Sequence, residues 1–101
     1  MKEGEQTMEE QARQLAELLK VLANENRLMI LCTLMEEPMS VGKIAERVTG
    51  ITPPALSQHL AMLKAAGILT SEKRGQTITY SIQDHRIEEV MYVLKKNYCA
   101  H

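Results

Sequence analysis

The chain has no phenylalanine, no tryptophan and only three tyrosines among its 101 residues. Aromatic residues supply 3% of it although 45% is hydrophobic, so a core must be assembled from Leu, Ile, Val, Met and Ala. That set favours packed helices. No apolar run approaches the roughly 18 residues of a membrane-spanning helix, and the opening MKEGEQTMEEQ is too polar for a secretory leader. The expectation is a cytoplasmic protein with no membrane partner. Cysteine is scarce as well: Cys32 and Cys99 are too far apart in sequence for a zinc-knuckle spacing or a thioredoxin-like pair. A structural disulfide is not expected in a reducing compartment. Also missing are a phosphate-cradling glycine loop, a cluster of metal ligands and any nucleophile-base-acid constellation, which argues against an enzyme and against a bound cofactor or metal.

What is present points elsewhere. A chain of this length is expected to form one compact core, hence a single domain over residues 1–101. A small domain with a long apolar helix at either end needs a second subunit to cover it. The formal net charge of −1 does not mark a nucleic-acid binder. Its distribution does. Residues 1–39 carry four basic and eight acidic side chains, residues 40–80 five and two, and residues 81–101 three and three. A basic centre between acidic ends suits contact with duplex phosphates, because affinity follows the local field.

Apolar residues recur at three and four from about Met8 to Leu22, which predicts an amphipathic first helix. A second helix is expected from about Glu25 to Met35, capped by Asn24 and apolar on most of its circumference. Pro38 interrupts the pattern, and Ser40 can cap a short third helix running to Val48 and the break at Gly50. Thr52 as cap and Pro53 at the first helical position then start a fourth helix that reaches about Ala66 and stops at Gly67. Its inward stripe is Leu56, Leu60 and Leu63. Joined by the residues GIT, the third and fourth helices form a helix-turn-helix at about 40–66. Periodicity then changes to alternation in Ile68 to Lys73 and Thr77 to Ile82, around the turn Arg74-Gly75-Gln76, which predicts a β-hairpin at about 68–82. Asp84 caps a last helix bearing Ile87, Val90, Met91 and Leu94 and ending near Tyr98 and Cys99.

This order of elements, with the motifs LANENRLMILCTL, LSQHLAMLKAAGIL and RGQTITYSI, resembles the ArsR/SmtB family of winged-helix repressors over about residues 12–99. The expected fold is therefore mainly α (α+β), a winged helix-turn-helix of about five helices and a two-stranded wing. The resemblance implies a homodimer through the first and last helices and binding to double-stranded operator DNA. In a helix-turn-helix the second helix sets its N-terminal residues against base edges in the major groove. Gln58 can bond bidentately to adenine and Ser57 can reach a base edge or a phosphate, while Thr52 and His59 are better placed for the DNA backbone. Lys43, Lys64, Lys73 and Arg74 offer charge to phosphates, with Arg74 at the wing tip able to enter a minor groove. A winged helix also serves as a protein-interaction module, which stays as an alternative.

Many relatives sense metals. The thiolate site such proteins place at the start of the third helix has no cysteine here, in SVGKIAERV. Counting from Asp84, the remaining positions of the family's last-helix site fall on Arg86, Asn97 and Ala100, and arginine cannot ligate. His85 and His101 match no site position. Arsenite favours soft thiolates, but two cysteines leave a trigonal sulfur site one ligand short, and a metal- or metalloid-responsive repressor is the second alternative. The placement of Cys32 and Cys99, with the tail KKNYCAH, resembles the dithiol branch of the family, which responds to persulfides and related oxidants. It implies Cys32 and Cys99 as redox sensors and reactive sulfur species as inducer. Lys95 and Lys96 favour the Cys99 thiolate, whereas the negative end of its helix opposes it.

Overall fold

A computed structural model describes residues 6–99 and, at Cys99, the backbone alone. Helix α1 (Met8–Leu22) begins at Thr7, whose Oγ1 accepts the Glu10 N–H at 3.1 Å. Helix α2 (Glu25–Leu34) begins at Asn24, whose Oδ1 accepts from the N–H groups of Asn26 and Arg27 at 3.0 and 3.1 Å. Ser40 caps α3 (Val41–Arg47) through the Lys43 N–H at 3.2 Å, and Thr52 caps α4 (Pro53–Ala65) through the Ala55 N–H at 3.3 Å. Asp84 caps α5 (His85–Leu94). All four expected caps form, because each side-chain oxygen satisfies a helix N–H that has no partner inside the helix.

The wing is a hairpin of β2 (Leu69–Arg74) and β3 (Thr77–Ile82), with Arg74 opposite Thr77. Each end of the expected first strand therefore moves one residue along. Gly75 takes φ +62 at the first position of the two-residue turn, the sign a II′ hairpin turn demands. One element was not expected: β1 (Met39–Ser40) pairs with β3, Met39 opposite Tyr80, so the two-stranded wing becomes a three-stranded antiparallel sheet ordered β1-β3-β2. Two further boundaries shift. Helix α3 ends at Arg47, so residues 48–52 rather than GIT alone link it to α4. The last helix reaches Cys99, but as a π-helical turn over Lys95–Cys99, in which Asn97 Nδ2 donates to the Val93 carbonyl at 2.8 Å.

Gly67 ends α4 with φ +78. Its N–H donates to the Lys64 carbonyl and the Ile68 N–H to the Leu63 carbonyl, both at 3.0 Å, which closes a Schellman motif. The motif aims the chain from α4 straight into the wing. Both hydrophobic partners of that motif, Leu63 and Ile68, are fully buried in the core with Ile30, Leu31, Ile44, Leu60, Leu69, Ile87 and Met91. Among the described residues no polar side chain is buried. No helix of the described residues is long and apolar enough to cross a membrane.

The Asp84 cap has a pH signature. Arg86 Nη2 and Nε donate to its carboxylate at 2.9 and 3.1 Å, and this pairing holds the Asp84 carboxyl below its ordinary 3.8. A lowered folded-state value stabilises the fold above the ordinary value, and that share is lost as pH falls through the folded value. Asp84→Asn keeps a cap acceptor without the charge. The stability gap between wild type and Asp84→Asn in urea titrations is therefore expected at about pH 6 and to close below about pH 4.

Candidate nucleic-acid interface

Helix α4 is amphipathic across its diameter. Leu56, Leu60 and Leu63 face the core, whereas Ser57 and Gln58, one and two residues beyond Leu56, are exposed. Burial of the stripe thus fixes the outward direction of the two polar side chains. Thr52 is exposed beside them, its Oγ1 already accepting the capping bond. His59 is half-buried, and its Nδ1 accepts from Arg27 Nε of α2 at 3.3 Å. With Nδ1 accepting, a neutral ring carries its proton on Nε2.

The basic residues fall into separate groups. Lys43 is exposed on α3, ahead of the turn. Near the other end of α4, Lys64 Nζ donates to Ser71 Oγ at 2.7 Å and so clips the helix to strand β2. Lys73 and Arg74 stand exposed at the wing tip, and Arg74 Nε donates to the Glu72 carboxylate at 2.7 Å. The structure therefore joins Lys64 to the wing, leaves Lys43 and Lys73 in solvent and gives Arg74 an acidic neighbour. Ser71 and Glu72 carried no signal in the sequence beyond their places on a strand. Arg27 did carry one, as a lone cation at the start of an otherwise apolar run, LMIL.

Cys32 is half-buried on α2, packed against the core. Cys99 closes the π-helical turn, and its side chain lies outside the described residues, as does all of His101. Among the described residues no group of three or more His, Cys, Asp or Glu side chains could hold a metal ion. Arg86, at the expected site position, is instead paired with Asp84.

Known proteins share this fold. Residues 24–71, from the cap of α2 into the wing, match the family described as bacterial regulatory protein, arsR family. The chain is similar to the transcriptional activator HlyU of Vibrio cholerae, 37% identical over 94 residues that cover 93% of this chain and 86% of that one. It is also similar to the biofilm growth-associated repressor of Xylella fastidiosa, 36% identical over 93 residues, covering 92% and 81%. The solved structure of reduced HlyU from Vibrio cholerae superposes with a TM-score of 0.86 at 36% identity, covering 92% of this chain and 97% of that one. These relatives are regulators and not enzymes, and the chain belongs to the ArsR family of DNA-binding transcriptional regulators.

Proposed function

We propose that the protein is a homodimeric cytoplasmic repressor whose single domain reads operator DNA through α4 and the wing, and whose affinity is set by the thiols of Cys32 and Cys99. The observation that carries the DNA reading is the exposure of Ser57 and Gln58 on the face of α4 opposite its buried leucines. Gln58 then faces a base edge and Ser57 a base edge or phosphate, with Thr52, Lys43, Lys64 and Lys73 contacting the backbone. Arg74 enters a minor groove. Both an activator and a repressor stand among the relatives. Repression needs only an occupied operator, which this surface supplies by itself.

Dimerisation is supported by apolar side chains left uncovered on the two terminal helices: Leu15 and Leu19 on α1, and Val90, Tyr92 and Val93 on α5. Apolar side chains left uncovered on both terminal helices suit a seam that a second copy covers.

The thiol step runs through exchange. The Cys99 thiolate takes the outer sulfur of a persulfide R–S–SH, expelling the thiolate R–S⁻, and becomes Cys99–S–SH. The Cys32 thiolate then attacks Cys99 Sγ and expels hydrosulfide, so that two thiols are oxidised and the transferred sulfur is reduced. The link ties α2, which packs on α4, to the end of α5, and thereby couples the sensor to the reading surface. Fluorescence anisotropy at fixed salt, on a labelled duplex that the wild-type protein selects from a randomised pool, tests the proposal. Reduced protein is expected to bind tightly, a persulfide donor to weaken it roughly tenfold or more, and Cys99→Ser protein to ignore the donor. Equal binding before and after treatment would remove the thiol switch, and no selected duplex would remove the DNA reading.

A further inference from the structure

Arg27 stands in the first turn of α2 and its guanidinium reaches three places in the fold. Nη1 donates to the Val21 carbonyl at 3.0 Å, Nε to His59 Nδ1 at 3.3 Å, and Nη2 lies 2.9 Å from Met62 Sδ. Val21 belongs to the last turn of α1, where carbonyls have no partner inside the helix and a cation is favoured. His59 and Met62 are three residues apart on α4 and share one face. A single rigid fork of donors therefore spans α1, α2 and α4.

We propose that Arg27 is a positioning residue for DNA recognition, setting the rotation and height of α4 through His59 and Met62. The proposal rests on α4 reading the operator, and goes beyond it by naming what aims the helix. The leucine stripe of α4 holds it by burial, which is non-directional and tolerates small rotations and slides. Hydrogen bonds do not. Gln58 immediately precedes His59, so a rotation that frees His59 from the guanidinium carries the Gln58 amide away from its base edge, and base contacts weaken steeply with misalignment.

The test measures anisotropy titrations on the selected duplex and on a shuffled duplex across a salt series, each variant below its own melting midpoint. Arg27→Gln is expected to lower affinity for the selected duplex roughly tenfold, leaving the shuffled duplex and the salt slope unchanged. His59→Asn, which keeps an acceptor near Nδ1, is expected to bind within about twofold of wild type, and His59→Leu to fall as Arg27→Gln does. The double variant Arg27→Gln/His59→Leu is expected to be no weaker than either single change, as coupled residues behave.

Unchanged affinity of Arg27→Gln or His59→Leu for the selected duplex overturns the proposal. So does equal weakening on both duplexes with a salt slope smaller by about 0.9, since Arg27 is then a phosphate contact. Gln58→Ala separates the two levels. If it binds as wild type, the reading by α4 falls and the positioning role with it; if it weakens while Arg27→Gln does not, only the positioning role falls.

Discussion

Val93→Glu is expected to turn the dimer into a monomer and to lower operator affinity by roughly a hundredfold or more. Val93 lies on α5, 54% exposed, with the exposed Val90 one turn before it on the same side of the helix. Ile87 and Met91, on the opposite side, are consumed by the core. If this outer stripe pairs across a two-fold axis, every substitution enters the interface twice. Two glutamates facing one dry seam would each lose hydration without a cationic partner. The loss in DNA binding follows from geometry. A dimer that has docked one reading helix holds the second at high effective concentration over the adjacent half-site, and a monomer forfeits that gain while every contact to its own half-site survives. Sedimentation equilibrium and anisotropy on the same sample check both halves. A variant that stays dimeric with full affinity would place the interface elsewhere.

Leu63→Ala is expected to cost about 2–5 kcal/mol of folding stability, a large share of the roughly 5–15 kcal/mol of a whole domain. Leu63 is fully buried, and its carbonyl accepts the Ile68 bond that closes α4. Truncation leaves a cavity where helix, wing base and core meet. At about 4–8 °C per kcal/mol for a domain near this size, the melting midpoint falls by roughly 8–40 °C. Gln58→Ala on the same helix is the contrast, with a stability change within about 0.5 kcal/mol and a loss confined to DNA affinity. Thermal melts and anisotropy on the two variants separate what holds the helix from what the helix reads.

The difference between these two variants also shows which parts of the molecule could be read from sequence. Asn24, Ser40, Thr52 and Asp84 announced helix starts because a cap is chemistry within three residues of chain, and Gly67 announced a stop for the same reason. The inward leucines of α4 were legible from spacing, and the outward Gln58 from its distance to them. Strand β1 was not, since two residues have no periodicity and its partner Tyr80 lies far along the chain. Arg27 was visible as an odd charge, but its partners lie 6, 32 and 35 residues away, a distance at which no local rule operates. The bond from Arg27 to His59 was illegible for that reason: neighbours in sequence place His59 on α4 beside Gln58, and only the fold brings Arg27 to it.

The Glu72–Arg74 contact at the wing tip has a consequence for the kind of duplex the protein prefers. Both groups are largely exposed, so the contact is worth at most about 1 kcal/mol. A phosphate approaching Arg74 does not meet a bare cation; it must displace a carboxylate already in place. The exchange is more favourable where the DNA potential is more strongly negative, as in the narrow minor groove of an A-tract. If the wing docks in a minor groove as proposed, Glu72 sharpens its response to groove width by no more than about fivefold, without reading base identity.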